Sequence, residues 1–350
     1  MYRIPVVLHV PGTKVVMAFA EARLGAAIEP TGKAKEGCSD GAGPAVPMRR
    51  STDGGSSWEP MRWIANDTQP EHVAKNDYIV MGMAIYDPKS TSSFLFYTAC
   101  YQKCVYTTTY VIRTKDNGVS WSEPSAGNLT DMLLDDGISM MQFGEGQGVV
   151  LPSGELLVCG WFKAKGRPPG EQDNTDSIAC LSSVDGDTWK IKGRLPLMAD
   201  GRPQRPFDEV TIGLMMNSSI FMSMRTNTKV PGRYQARSDD GGATFTVATP
   251  GELPAPTCNA GTINLRDDIV LAHIEPNKGV RANMTIRASK DDGATWPYSQ
   301  LIWPNPAGYV TLTTTEDQDT VGVLYENGDY NTSCYSRISY EKVKVPLLKK

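Results

Sequence analysis

The groups able to do chemistry in this chain are phenols, carboxylates and guanidiniums, not imidazoles or catalytic serines. His9, His72 and His273 are scattered along 350 residues. None forms an H-E-x-x-H pair and there is no G-x-S-x-G elbow, so metalloprotease and Ser-His-Asp chemistry have nothing to stand on. Neither a phosphate loop nor a dinucleotide fingerprint is present. Two positions stand out instead. Tyr309 closes the stretch SKDDGATWPYSQLIWPNPAGY (289–309), in a short phrase, AGY, that does not recur. Arg3 lies among strand-forming residues in YRIPVVLHV, where a charge must face water, a partner or a ligand.

The elements that must position these groups come from a repeat. The pattern S-x-D-x-G-x-x-W is filled at 289–296 and at 51–58 (STDGGSSW). Residues 238–245, SDDGGATF, end on Phe instead of Trp; 114–121, TKDNGVSW, open on Thr; 183–189, SVDGDTW, are one residue short. The aspartates 53, 116, 185, 240 and 291 are spaced 63, 69, 55 and 51 residues apart. In such a turn Asp accepts bonds from nearby backbone N–H groups, Gly tolerates positive φ, and the aromatic ring packs beneath. A strand-like run precedes each box: VPMRRS, TYVIRT, SIACLS, RYQARS and MTIRAS. Each box therefore reads as the hairpin between two antiparallel strands. Further runs, such as VVMAFAE, FLFYTACY, ELLVCGWF, VGVLYEN and SCYSRISY, read as strands, and no long period-3.6 segment appears. Short strands around one recurring hairpin predict an all-β propeller with four-stranded blades. Five boxes plus one degenerate unit predict six blades, within a single domain spanning 1–350.

Composition agrees with an ordinary globular protein: 40% hydrophobic, 21% charged, net charge −4. That charge argues against nucleic acid as a main partner. No apolar run approaches the ~20 residues of a membrane span. The chain opens abruptly on MYRIP without a signal peptide. Sequons at Asn66, Asn128, Asn217, Asn283 and Asn331 lean the reading toward a secreted or vesicular setting. Seven cysteines without a C-x-x-C pair argue against a zinc ribbon or a dense disulfide framework. They read as buried or surface thiols, Cys100 and Cys104 included.

The phrases YRIP (2–5), FAEAR (19–23) and LYENGDY (324–330), with the boxes and the late Tyr309, resemble the Asp-box, six-bladed sialidases (neuraminidases) over essentially the full length. The resemblance implies an exo-α-sialidase acting on sialylated glycans, with no metal or cofactor. A terminal sialic acid carries a carboxylate on its anomeric carbon, which arginines hold well. The family's three arginines map onto Arg3, Arg225 in SMRTN, and Arg281 one strand before the last box. Glu326 matches the acid that orients the first of them. A carboxylate nucleophile would be repelled by the substrate carboxylate; a neutral phenol avoids this, and sialidases use tyrosine. Tyr309 fits that role, although Val310 stands where the family usually has Ser.

A phenol needs a base at neutral pH. Glu209 in FDEVTIG matches the family's base, with Asp208 as runner-up. The acid that protonates the leaving oxygen matches Asp40, in a Gly/Ala/Pro-rich loop before the first box, with Glu36 as its neighbour. Arg23 resembles a residue contacting the carboxylate or a nearby group. Asp87 matches a structural turn, and Trp161 and Phe162 match pocket aromatics. The phrase FGEGQGVVLPSGELLV (143–158) matches a glycine-rich approach to the pocket. Met81-Gly82-Met83 replaces the family's Asn-Pro pair, which leaves open a preference for deaminated sialic acid. A trans-sialidase, and a sialic-acid-binding propeller without catalysis, are the other readings.

Overall fold

A computed structural model describes residues 1–23, 45–66, 78–101, 104, 106–125, 129–165, 177–196, 207–226, 232–254, 256–265, 270–275 and 281–345. The first sheet is β1 (Tyr2–His9), β2 (Val16–Ala22), β3 (Ala45–Ser51) and β4 (Arg62–Asn66), all antiparallel neighbours in that order. The second is built from β5 (Tyr78–Asp87), β6 (Ser92–Tyr101) and β7 (Tyr106–Thr114). One short helix, α1 (Leu129–Asp135), precedes β8 (Ile138–Phe143), β9 (Gly146–Gln147), β10 (Val149–Val150), β11 (Leu156–Ala164), β12 (Ser177–Ser183) and β13 (Lys190–Arg194). β9 joins the second sheet, parallel to β5. The third sheet runs β10-β11-β12-β13, with β8 also on β11. The fourth is β14 (Phe207–Leu214), β15 (Ile220–Thr226), β16 (Tyr234–Ser238) and β17 (Thr249–Pro250). The last holds β18 (Gly261–Leu265), β19 (Val270–Glu275), β20 (Ala282–Ser289), β21 (Tyr298–Thr314), β22 (Thr320–Asn327) and β23 (Arg337–Lys344).

The fold is an all-β propeller, as the repeat predicts, but the described residues form five blades and not six. The cause is β21. It runs 17 residues, pairing through its first half with β20 and through its second half with β22. Its first nine residues are half-buried or exposed and the next seven are buried. One strand thus serves as the outer edge of one unit and the inner strand of the next, and the two merge into a six-stranded sheet.

All five boxes lie between antiparallel partners. In the fourth sheet Ser238 Oγ donates to Asp240 Oδ1 and accepts from Gly242 N, while Thr244 donates to Asp240 through both N and Oγ1. These bonds hold Asp240 down at a pKa of about 2, as they do Asp53, Asp116 and Asp185. The aromatic residue of the box does more than cover its own turn: it packs on the preceding sheet. Trp121 meets Phe19 at 5.7 Å, Trp189 meets Phe96 at 4.7 Å and Trp296 meets Phe221 at 6.1 Å, all between ring centroids. Trp58 of the first sheet meets Tyr340 of the last at 5.3 Å, which closes the ring. Each such pair contributes about 0.5–1.5 kcal/mol beyond its buried area.

The cysteine reading needs correction. Cys100 bonds Cys104, and Cys159 bonds Cys180, its direct partner across β11 and β12. Among the described residues only Cys258 and Cys334 are free thiols, both buried. Cys38 lies outside the described residues.

The lowered acids set a pH response. Asp240 has a lower pKa folded than unfolded, so its contribution is present above about 4 and fades as pH falls toward about 2. Asp240→Asn is expected to lower Tm at neutral pH, with the gap to wild type closing on acidification. Thermal unfolding across pH measures this, and a gap that is constant with pH would contradict it.

Candidate functional site

The innermost strands start irregularly at one end of the ring. Register slips occur between Arg3 and Val6 on β1, between Phe207 and Val210 on β14, and between Ala307 and Val310 on β21. A bulge of this kind turns a side chain out of the regular pleat. Arg3, Glu209 and Tyr309 occupy these three bulges. Ile4, beside Arg3, has φ of 55°, a left-handed backbone uncommon for a β-branched residue.

One carboxylate fixes two of the bulges. Glu326 Oε1 accepts from Arg3 Nε at 2.6 Å and from Ile4 N at 2.9 Å. Its Oε2 accepts from Arg3 Nη2 at 3.1 Å and from Tyr309 N at 3.0 Å. Gly308 is required for this approach, because a Cβ there would stand 2.4 Å from Glu326 Oε2. Burial opposes the Arg3 charge, yet Glu326 outweighs it and the guanidinium pKa is raised. Behind Tyr309, Val310 donates its N–H to Asn259 Oδ1 at 2.8 Å.

A cavity of about 500 Å³ opens over these bulges. The Tyr309 hydroxyl donates to Glu209 Oε1. Arg225 Nη1 donates to both Glu209 oxygens, at 2.6 and 2.7 Å, and to Tyr309 Oη at 3.0 Å. Asp208, the runner-up carboxylate, stands 3.7 Å from Arg225. The guanidiniums of Arg3 and Arg281 lie 5.4 and 5.5 Å from the Tyr309 ring centroid. Arg281 donates to Tyr335 Oη at 2.8 Å and to the Thr257 carbonyl. Burial first, then the Glu209 charge, push the Tyr309 pKa well up, against the pull of Arg225. The phenol is therefore neutral at neutral pH and faces the Glu209 carboxylate. Beneath, burial pushes the Cys258 thiol up to about 12, which removes it as a competing nucleophile.

The arrangement can hold an anion among three guanidiniums while a phenol, with a base on its proton, stands beside it. Arg3, Arg225, Arg281, Tyr309, Glu209 and Glu326 are thus brought together. Arg23 also lines the cavity, held by Glu21 at 2.9 Å, and Glu21 in turn accepts from Met81 N. Asp40 and Glu36 lie outside the described residues. Trp161 lines the cavity, whereas Phe162 is buried in the core. Asp87 accepts from Lys89 N, Ser90 N and Ser90 Oγ in a turn away from the cavity. No cluster of His, Cys, Asp or Glu suited to a metal ion occurs among the described residues.

Sequence reasoning missed Glu21, Glu145, Asn259 and Tyr335. Glu21 had a signal, an acid inside a strand-forming run. Glu145 had another, an acid between two glycines. Tyr335 was hidden because 333–340 reads as strand; β23 begins only at Arg337, and Tyr335 belongs to the preceding turn.

Comparison with known proteins agrees with the fold. A family profile described as BNR repeat-like domain matches residues 33–325. A sialidase of Micromonospora viridifaciens is 25% identical over 327 residues, covering 83% of this chain but 46% of that protein, so the chain spans about half the length of that relative. Among solved structures, the Hadza microbial sialidase Hz136 superposes with a TM-score of 0.77 at 22% identity, over 98% of this chain and 65% of that one. A leech intramolecular trans-sialidase does so with a TM-score of 0.74 at 16% identity, over 98% and 68%.

Arg3 and Glu326 are both almost fully buried, so removing one strands the other. Glu326→Ala is expected to cost about 3–5 kcal/mol, measured by urea unfolding; a loss below about 1 kcal/mol, the range of an exposed pair, would contradict the reading of Glu326 as the tie between strands.

Proposed function

The chain belongs to the BNR-repeat sialidase family, and from that premise we propose that it is a retaining exo-α-sialidase. Residues 1–350 form its single catalytic propeller domain, and its substrates are sialylated glycans. The observation that carries the reading is the Tyr309 hydroxyl, hydrogen-bonded to Glu209 and Arg225 with Arg3 and Arg281 at its ring.

The roles follow from charge. Arg3, Arg225 and Arg281 hold the substrate carboxylate, which fixes the anomeric carbon over Tyr309. Tyr309 Oη attacks that carbon as its proton passes to Glu209. The bond to the glycosidic oxygen breaks, and Asp40 gives that oxygen a proton. Arg225 stays in place as the phenol loses its proton, so the site does not reorganise during the step. In the second half, water attacks the same carbon as its bond to Tyr309 Oη breaks, Asp40 takes a proton from the water, and Glu209 returns the first proton to the Tyr309 oxygen. Two displacements at one centre retain configuration. A neutral nucleophile suits this substrate because an anionic one would meet the sugar's own carboxylate.

The test is hydrolysis of a fluorogenic α-sialoside by wild type, Tyr309→Phe and Glu209→Gln. Removing the base is expected to lower kcat about 10²- to 10⁴-fold, and removing the phenol oxygen to abolish turnover through the covalent route. Unchanged activity in Tyr309→Phe would move the nucleophile elsewhere. Binding without turnover by wild type would leave a sialic-acid-binding propeller. Product analysis in the same assay separates hydrolysis from transfer to a sugar hydroxyl.

A further inference from the structure

The cavity contains a carboxyl group that the mechanism does not use. Glu145 is almost fully buried and lines the cavity with Glu209 and Tyr309. Its Oε2 has no hydrogen-bond partner among the described residues. An unpartnered buried polar atom is costly, so it calls for a reason.

The backbone shows that the position is built. Gly144 passes so close to β14 that a Cβ would stand 1.7 Å from the Val210 carbonyl oxygen. Its N–H donates to the Cys159 carbonyl of β11 at 3.0 Å. Gly146 has φ of 149° and pairs with Met83 of β5. The next side chain, Gln147, donates to the Val7 and Leu312 carbonyls at 3.1 and 3.2 Å and to Thr313 Oγ1 at 2.6 Å. All five sheets thus hold the segment on the two sides of Glu145, and its side chain enters the cavity.

We propose that Glu145 is a substrate-binding residue whose Oε2 edge hydrogen-bonds a hydroxyl or amide group of the bound sugar. The inference rests on the sialidase reading above. It concerns a neutral polar group of the substrate, not the carboxylate held by the arginines. Burial first, then Glu209 and Asp208 of β14 and Glu21 of β2, push the Glu145 pKa well up. Facing the same cavity are Lys163 of β11, Arg23 of β2 and Tyr309 of β21. Burial thus favours the carboxylic acid form, with one O–H to donate and lone pairs to accept. A neutral acid can touch an anionic sugar without repelling it. As pH rises and Glu145 ionises, its donor is lost and a negative charge appears beside the substrate.

The experiment compares wild type, Glu145→Gln and Glu145→Leu on a fluorogenic α-sialoside across pH, with thermal unfolding of the free proteins alongside. Wild-type KM is expected to rise on the alkaline side. Glu145→Gln, which keeps a neutral donor and acceptor, is expected to hold KM near the wild-type neutral value and to lose that rise. Glu145→Leu is expected to raise KM about 2- to 10-fold, the worth of one hydrogen bond, with kcat changing less.

The stability arm has its own sign. A carboxyl with a raised folded pKa loses stability as pH climbs from the ordinary value of 4.5 through the folded one. Glu145→Gln is therefore expected to raise Tm at neutral pH, with the gain vanishing near pH 4.5. An unchanged KM in Glu145→Leu, or a Glu145→Gln profile that keeps the alkaline rise, overturns the inference while the sialidase reading stands. Wild type that neither cleaves nor binds a sialoside overturns the reading itself, and the inference with it.

Discussion

The Glu326 carboxylate is the contact on which the site depends. It is fully buried, and a buried carboxylate without partners would be several kcal/mol unfavourable. Four donors from two distant parts of the chain compensate: Nε and Nη2 of Arg3, the N–H of Ile4 and the N–H of Tyr309. One anion therefore sets the angle of the first arginine and the backbone of the phenol together. It also joins the first strand to the last sheet, where β1 packs against β21 and β22. The same carboxylate thus takes part in closing the ring and in building the candidate site.

This explains why the candidate site sits where the strands are least regular. In the first and fourth sheets the innermost strand starts beside the end of the second strand and the start of the third. The boxes follow the third strand's far end. Turns and chemistry thus occupy opposite ends of a sheet. The box end can repeat freely because it needs only local bonds and an aromatic residue on the preceding sheet. The other end cannot repeat, because each bulge there aims a different group into one cavity. Arg225, near the end of β15, belongs to the same end and reaches Glu209 and Tyr309.

What the sequence disclosed divides along that line. The boxes were readable because Ser, Asp, Gly and an aromatic residue act within eight positions. Tyr309 and Arg3 stood out by their setting, but the grouping of Arg3, Arg225, Arg281, Tyr309 and Glu326 came only through a resemblance, since it spans up to 323 residues. The merger of two units was not readable, because nothing local marks β21 as continuous. Cys159 and Cys180 needed the β11–β12 register before they could be paired. Tyr335 was lost to a misplaced strand boundary. Glu145 was quoted within a glycine-rich phrase, but its meaning depends on which atoms it fails to meet.

The most direct test is covalent trapping with a fluorinated sialic acid that slows breakdown of a glycosyl-enzyme intermediate, followed by mass spectrometry of the labelled peptide. The account requires one sugar per chain, bonded to Tyr309 and absent from Tyr309→Phe. A label on Glu209 or any other residue, or turnover with no covalent species, would contradict it.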